Sequence, residues 1–417
     1  MCKCHPSKDN ESWFGQKKYR LADFFDRWWD IYKKAPNHFI TSEQYKAVNA
    51  IRLCRTEALG IDHYACPECG EMTKIYHSCK NRFCPTCSWQ DTVKWAERIK
   101  NQMMDLPHRH VVMTLPHRLN NLIKSNGKEL LDILLRTAAD TFKDWMEHKY
   151  NLKPGIISVL HTFGETKEQH VHVHMIVSWG GITKTTKTLM QIKGEYVDYD
   201  FLKGKFRHKY EDQLIAMFDK GTLQHSFSNR NHFLHFIKRI NKKKWIINLE
   251  PPMEIPTQVV RYIGRYSKRA CLSEYKITKM EGEVIGFRYK DYKSKDGNNK
   301  PIERELELNY RDFFPRLLQH VPLPYFRLVR YYALYSNRAN IPTEYQYSKD
   351  IESEKVNSEN WETMQLEKTG ENPLICPQCN KRKVYLYTTI KKRGENRTII
   401  YKRIFFNKNK IPLEKVA

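Results

Sequence analysis

Apolar positions recur with a helical period in two stretches of the chain. In residues 20–58 and again in 127–150, apolar side chains are spaced three and four positions apart, as in Leu130, Leu134 and Ala138. This spacing puts them on one face of a helix, so both stretches are predicted to be helical. A third helix is predicted over 257–270, where the chain resumes after a proline-rich break.

Short apolar runs predict strands in the middle of the chain. One run covers residues 110–115 and ends at Pro116, and two more cover 156–162 and 170–178. Gly164 lies between the last two, which are therefore predicted to form a hairpin or neighbouring strands. Later in the chain, residues 284–292 and 301–308 are predicted to form another β pair. Strands and helices together predict an α+β protein.

The chain is strongly basic, and this charge gives information about its binding partner. Its 417 residues include 72 Lys and Arg against 47 Asp and Glu, a formal net charge of +25. Such an excess predicts a polyanionic partner, most often nucleic acid, and the 24 Tyr and 9 Trp could stack on bases. The alternative is a basic surface that only maintains solubility. No apolar run approaches the ~18 residues of a membrane span, and the N-terminus lacks an apolar signal region. We therefore expect a cytoplasmic protein without a membrane partner.

Two Cys-x-x-Cys pairs, fourteen residues apart, predict a structural zinc site. Zn²⁺ takes four thiolates tetrahedrally, and four sulfurs leave no position open for chemistry. The predicted ligands are Cys66, Cys69, Cys84 and Cys87. Cys79 is an alternative ligand, and His63 and His77 are weaker competitors.

A third pair, Cys376 and Cys379, has no second pair after it. It is either a stray pair in a turn or part of a second zinc site completed by Cys2, Cys4 or His5. The spacing does not choose between these interpretations.

Three histidines alternate with apolar residues in the predicted strand 170–178. Side chains of a strand alternate between its faces, so His170, His172 and His174 share one face. Neighbours in this row are ~7 Å apart, close enough to bind one cation, whereas the outer two are not. The pair is thus 170/172 or 172/174, unless the strand simply faces solvent with inactive histidines. Candidates for a third ligand are His161, Glu165 and Gln169.

Tyr262 and Tyr266 lie four positions apart on the predicted helix after the proline break. This spacing puts both phenols on one face. The surrounding cations, which could hold phosphates and favour a phenolate, are Arg261, Arg265, Lys268 and Arg269. Such a helix suits a nucleophile that attacks a phosphodiester. The alternative is core packing of the two tyrosines beside a basic exposed face.

Together these pieces resemble the two-tyrosine HUH transposases of the bacterial insertion-sequence ninety-one family, which carry an N-terminal zinc-binding domain. The segments that carry the resemblance are Arg55–Gly60, His77–Cys87, Val111–Pro116, Val159–Gly164, His172–Gly181, Tyr262–Arg269, Phe287–Tyr292 and Leu374–Cys379. Two positions depart from the family pattern: His170 stands where the family usually has proline, and Phe83 where it often has histidine. The second departure favours an all-thiolate zinc site.

The resemblance implies an HUH endonuclease domain with an antiparallel central sheet and a tyrosine-bearing helix, preceded by a helical and zinc-ribbon domain. It favours His172 and His174 as the catalytic metal pair. We predict His161, on the preceding strand, as the third ligand and Mg²⁺ or Mn²⁺ as the ion. Tyr262 or Tyr266 would then cleave single-stranded DNA at element ends in rolling-circle transposition, in a bacterial cytoplasmic protein that joins the nucleoid when bound to DNA. The domains this implies are 15–108 (helical and zinc-binding), 109–340 (nuclease), 341–372 (acidic linker) and 373–417 (basic tail).

Two other functions fit the same residues. A plasmid replication initiator or relaxase of the HUH type uses the same histidine and tyrosine chemistry. A zinc-dependent nucleic-acid-binding protein without catalytic activity would need only the cysteines and the basic charge.

Overall fold

The structure, a computed structural model, describes residues 18–36, 39–100, 102–242, 245–254, 270–347, 370–391 and 398–401, together with Glu362 and Leu366. Within these ranges the helices are α1 (Leu21–Tyr32), α2 (Ser42–Leu53), α3 (Pro85–Lys100), α4 (Asn120–Ser125), α5 (Gly127–Tyr150), α6 (Tyr199–Asp219), α7 (Arg230–Asn241) and α8 (Tyr310–Leu318). The strands are β1 (Ile61–Ala65), β2 (Met72–Tyr76), β3 (His108–Thr114), β4 (Leu152–Lys153), β5 (Gly155–Phe163), β6 (Gln169–Ser178), β7 (Gly180–Thr183), β8 (Leu189–Gln191), β9 (Ile246–Leu249), β10 (Ile277–Glu281), β11 (Val284–Lys295), β12 (Pro301–Asn309), β13 (Val329–Ala333), β14 (Val384–Lys391) and β15 (Thr398–Tyr401).

The chain divides into two compact units that interleave along the sequence. Among the described residues, the first unit contains Asn49–Lys80 and those of Val356–Ala417, and the second contains those of Gln16–Val48 and Asn81–Lys355. The predicted functional boundaries at 108, 340 and 372 remain a prediction, because the units follow spatial compactness rather than function.

A five-stranded antiparallel sheet organises the second unit, with strand order β13-β5-β6-β3-β9. One face of this sheet is apolar, and its Val173 and Met175 are fully buried. Leu134 and Phe142 of α5 are equally buried and belong to the same core cluster. Removing each such side chain from water contributes roughly 1.5–3 kcal/mol. The core therefore fixes which side chains of β5, β6 and β3 must point to the opposite face.

The first unit is built on a four-stranded sheet with strand order β15-β14-β1-β2. Strand β1 pairs antiparallel with both β2 and β14, and Ala65 lies opposite Met72 on one side and Val384 on the other. The segment 373–417, expected to be a basic tail, thus supplies two strands. The sequence pattern of this segment did not predict the two strands, because β14 pairs with β1, more than 300 residues earlier in the chain.

The α+β prediction is confirmed, since helices pack with antiparallel sheets. Helix α5 has the predicted bounds, and Asn151 ends it in a left-handed conformation with φ of 54°. The predicted hairpin is formed by β5 and β6, and the later β pair by β11 and β12. None of the helices in the described part of the chain has both the length and the apolarity that crossing a bilayer requires.

Candidate metal centre

Three histidines meet on the polar face of the central sheet. His161 of β5 lies directly opposite His172 of β6, and His174 follows two positions later on the same face. Each offers a ring nitrogen, and these nitrogens all lie within 4.8 Å of one another. The Nε2 atoms of His172 and His174 are 3.1 Å apart, and the three side chains are buried. The structure therefore brings together the three histidines predicted as metal ligands.

The outer ring nitrogens of His172 and His174 are already engaged. His172 donates its Nδ1–H to the carbonyl oxygen of His170 at 2.8 Å. The Nδ1 atom of His174 lies 2.8 Å from Nε2 of His110, in β3, and the two rings stack with 2° between their planes. Histidine ligands of metals typically have their outer nitrogen held in this way, which fixes the tautomer and directs the other nitrogen at the ion.

Burial keeps these imidazoles neutral. It is the largest cause that lowers the pKa values of His172 and His174 well below the usual range, and the neighbouring imidazoles lower them further. Burial likewise lowers the pKa of His110 to about 4. A neutral imidazole has a lone pair for a cation, so the cluster needs no proton release to bind one near neutral pH.

The sequence did not single out His110, although it lies in the predicted strand 110–115. It is a lone histidine at the start of an apolar run, and its importance comes from β3 pairing beside β6, with Val112 opposite His174. Only the strand order could have identified it. Of the alternative third ligands, Glu165 instead forms an ion pair with Lys276 at 3.1 Å.

A cavity of about 660 Å³ adjoins the histidine cluster. His161 and Gln169 are among its lining residues, and the aromatic rings of Phe163 and Phe326 line it as well. Three exposed cations border the same cavity: Arg82, Lys124 and Arg327. A cavity with aromatic walls and a basic rim suits a nucleotide of a single strand, because bases stack on rings and phosphates pair with cations.

The predicted nucleophile helix lies outside the described residues. This applies to Tyr262 and Tyr266 and to the four cations predicted to surround them, namely Arg261, Arg265, Lys268 and Arg269. Their roles stay predictions from the sequence.

The predicted set of four zinc ligands is not the set that the structure brings together. Cys66 and Cys69 cluster with the pair Cys376 and Cys379, and these four sulfurs all lie within 4.8 Å of one another. The other predicted pair, Cys84 and Cys87, belongs to the second unit, where both thiols are buried. Cys84 directly precedes α3, and Cys87 lies in the first turn of this helix. Cys79, the alternative ligand, follows β2 and is not a member of the cluster around Cys66.

Comparison with known proteins adds family information to this geometry. A family model described as "Putative transposase" matches residues 155–341, and one described as "Transposase zinc-binding domain" matches residues 24–115. "Putative transposase y4qJ" of Sinorhizobium fredii (strain NBRC 101917 / NGR234) is 28% identical over 375 residues, which cover 87% of this chain and 93% of that protein. "Transposase for insertion sequence element IS801" of Pseudomonas savastanoi pv. phaseolicola is 26% identical over 356 residues, 82% of this chain and 83% of that protein. No solved structure matches at a significant level.

Proposed function

Because this chain belongs to the insertion-sequence ninety-one family of transposases and carries its N-terminal zinc-binding domain, we propose that it nicks single-stranded DNA at element ends and transfers strands in rolling-circle transposition. Cleavage would form a covalent 5′-phosphotyrosine. The observation that carries this proposal is the cluster of three ring nitrogens from His161, His172 and His174, all within 4.8 Å.

The cluster fits a divalent cation. Three imidazoles offer a ring nitrogen to one point, and the outer nitrogens of His172 and His174 are held by His170 and His110. We propose Mg²⁺ or Mn²⁺, because phosphate oxygens from DNA would add the oxygen ligands that these ions prefer. When bound, the ion polarises a phosphate and offsets the charge that develops during cleavage.

The tyrosines would supply the nucleophile. The phenolic oxygen of Tyr262 or Tyr266 forms a bond to phosphorus while the bond from phosphorus to the 3′ oxygen breaks. The phenol loses a proton and the departing 3′ oxygen gains one. Because the phosphotyrosine keeps the energy of the phosphodiester, a later 3′-hydroxyl can reverse the exchange and join a new strand without ATP. Two tyrosines allow two cleavages in one cycle.

The cavity beside His161 would receive the unpaired strand. Its rim carries Arg82, Lys124 and Arg327, which could pair with phosphates, and the partly exposed Phe163 offers a ring for stacking. This arrangement needs splayed bases, which a closed duplex does not present. Because His161 lines this cavity, the cavity adjoins the histidine cluster, which supports single-stranded DNA as the substrate.

The proposal is tested by trapping the covalent intermediate. The purified protein is incubated with Mn²⁺ and a labelled single-stranded oligonucleotide carrying an element end, and adducts are resolved on a denaturing gel. We expect an adduct that disappears in His172→Ala and in the double variant Tyr262→Phe/Tyr266→Phe. The exposed residues His148 and Tyr196 provide matched controls, as His148→Ala and Tyr196→Phe, and both should form the adduct normally. A robust adduct from the double tyrosine variant would show that the nucleophile lies elsewhere.

The alternatives predict different outcomes. The matches to transposases favour transposition over plasmid replication or conjugation. A replication initiator or relaxase would cleave a plasmid origin in preference to element ends. A non-catalytic binding protein would give no adduct, and its DNA binding would not respond to His172→Ala.

A further inference from the structure

We infer that Cys66, Cys69, Cys376 and Cys379 bind one structural zinc ion, which links the N-terminal zinc-binding domain to the C-terminal segment of the chain. The match to the zinc-binding domain ends at residue 115 and the match to the transposase model at residue 341. Neither reaches the second cysteine pair, so half of this site lies outside both matches.

The first pair forms the turn between β1 and β2. In Cys66-Pro-Glu-Cys69, the N–H of Gly70 donates to the carbonyl oxygen of Cys66 at 3.0 Å, and the N–H of Cys66 donates to the carbonyl oxygen of Glu71 at 3.0 Å. Gly70 has a φ of 75°, a left-handed conformation that glycine adopts without strain. These two backbone hydrogen bonds close the turn that carries Cys66 and Cys69.

The second pair repeats this turn at the entry to β14. The N–H of Asn380 donates to the carbonyl oxygen of Cys376 at 2.9 Å, and the N–H of Cys376 donates to the carbonyl oxygen of Lys381 at 2.8 Å. Asn380, like Gly70 in the first turn, is left-handed, with φ of 53°. Both turns read Cys-Pro-X-Cys and use the same hydrogen bonds at the same positions. Two copies of one turn that face each other with four sulfurs are the arrangement of a paired zinc knuckle.

The sulfur positions fit zinc and do not fit disulfides. Cys69 Sγ lies 3.6 Å from Cys376 Sγ, and every pair of the four sulfurs is within 4.8 Å. A tetrahedron with Zn–S bonds of ~2.3 Å has sulfurs ~3.8 Å apart, whereas a disulfide needs ~2.05 Å. All four residues are free cysteines. Four thiolates close the coordination sphere, so the ion would have a structural role.

The site would fasten the sheet of the first unit at one end. Strand β1 ends at Ala65, next to the first knuckle, and its partner β14 begins at Val384, just after the second. Lys381 and Glu68 add an exposed ion pair between the two knuckles at 3.7 Å. Because the cysteines are 307 positions apart in sequence, the first pair cannot complete its coordination until the C-terminal segment has joined it.

Zinc content of the full chain tests the shared site. We expect Cys376→Ser/Cys379→Ser and Cys66→Ser/Cys69→Ser each to lose one zinc per chain by elemental analysis, and the quadruple variant to lose no more than one. Cys271→Ala, at a buried cysteine of the second unit outside every metal-capable group of the described residues, should keep the full content. An undiminished zinc content in the C-terminal variant would overturn the site, and so would a loss of two ions in the quadruple variant.

Thiol protection in the wild-type protein gives a second measurement that does not depend on how variants fold. The zinc-loaded protein is alkylated before and after addition of a chelator, and the labelled peptides are quantified by mass spectrometry. We expect Cys66, Cys69, Cys376 and Cys379 to be protected together and to become reactive together. Labelling of Cys376 and Cys379 in zinc-loaded protein, with Cys66 and Cys69 still protected, would overturn the proposal.

Discussion

The ring of His110 is the side-chain group that holds the outer nitrogen of His174, so replacing it tests how the metal centre is oriented. In His110→Phe the aromatic ring can still stack on His174 as it does now, with ring centroids 5.1 Å apart. The 2.8 Å contact between His110 Nε2 and His174 Nδ1 is lost. The substitution therefore removes one orienting hydrogen bond and keeps most of the packing.

The size of the effect follows from that single contact. Partners that orient a histidine ligand typically contribute 10- to 100-fold in metal affinity, or about 1.4–2.7 kcal/mol. We expect the dissociation constant for Mn²⁺ to rise by a factor in this range. The ligand set of three histidines is unchanged, so binding should weaken without being abolished. His110→Gln, whose amide can still reach His174 with a polar atom, should recover part of the loss.

Calorimetric titration of Mn²⁺, together with the electron paramagnetic resonance signal of the free ion, measures this affinity without requiring DNA cleavage. The matched control is His170→Ala, because the hydrogen bond of His172 goes to the backbone carbonyl of His170, which the substitution retains. Its affinity for Mn²⁺ should stay close to that of the wild type. Equal affinities for wild type and His110→Phe would refute the orienting role of His110.

Three further substitutions test the DNA path, the core and a buried acid. Arg327→Ala, at the cavity rim, should weaken binding of single-stranded DNA. The slope of log binding constant against log salt concentration should become shallower by the ~0.7 expected for one phosphate contact, measured by fluorescence anisotropy across salt concentrations. Leu134→Ala, at a fully buried position of α5, should lower the free energy of unfolding by about 2–5 kcal/mol in denaturant titrations. Burial raises the pKa of Glu211 to about 7, so the folded state binds the extra proton between pH 4.5 and 7, and stability falls as pH rises through that window. Glu211→Gln should then raise the free energy of unfolding by on the order of 2 kcal/mol at pH 8 and far less at pH 5, and an equal gain at both values would contradict this reasoning.

Hydrophobic periodicity predicted the features that depend only on residues within one helix or one strand. Helix α5 and the faces of β6 follow from side-chain spacing alone, because burial of one face dictates that spacing. The histidine row of β6 could therefore be placed on one face from the sequence. The choice of His172 with His174 came from the resemblance, and the meeting of these two with His161 agrees with it.

Spacing could not reveal which elements become neighbours. His110 depends on β3 lying beside β6, and nothing in the run 110–115 encodes that pairing. For the cysteines, the fourteen-residue gap between the first two pairs fits a zinc ribbon. That gap alone does not show that the two pairs bind the same ion. The structure instead matches Cys66-Pro-Glu-Cys69 with a turn of the same form at Cys376. Because Cys84-Pro-Thr-Cys87 has the same Cys-Pro-X-Cys sequence, neither the turn sequence nor the distance along the chain could select the partner of the first pair.

The histidine cluster and the four-cysteine cluster around Cys66 also differ in how much of the chain each one requires. The histidine cluster uses strands β5 and β6, which form a hairpin, so it can assemble as soon as this part of the second unit has folded. The four-cysteine cluster needs both ends of the first unit, because its sulfurs come from segments 307 positions apart. Loss of the chain beyond residue 370 would therefore remove two sulfurs and strand β14 while leaving all three histidines in place. The first unit therefore needs chain segments from two distant parts of the sequence, whereas the histidine cluster needs only one hairpin of the second unit.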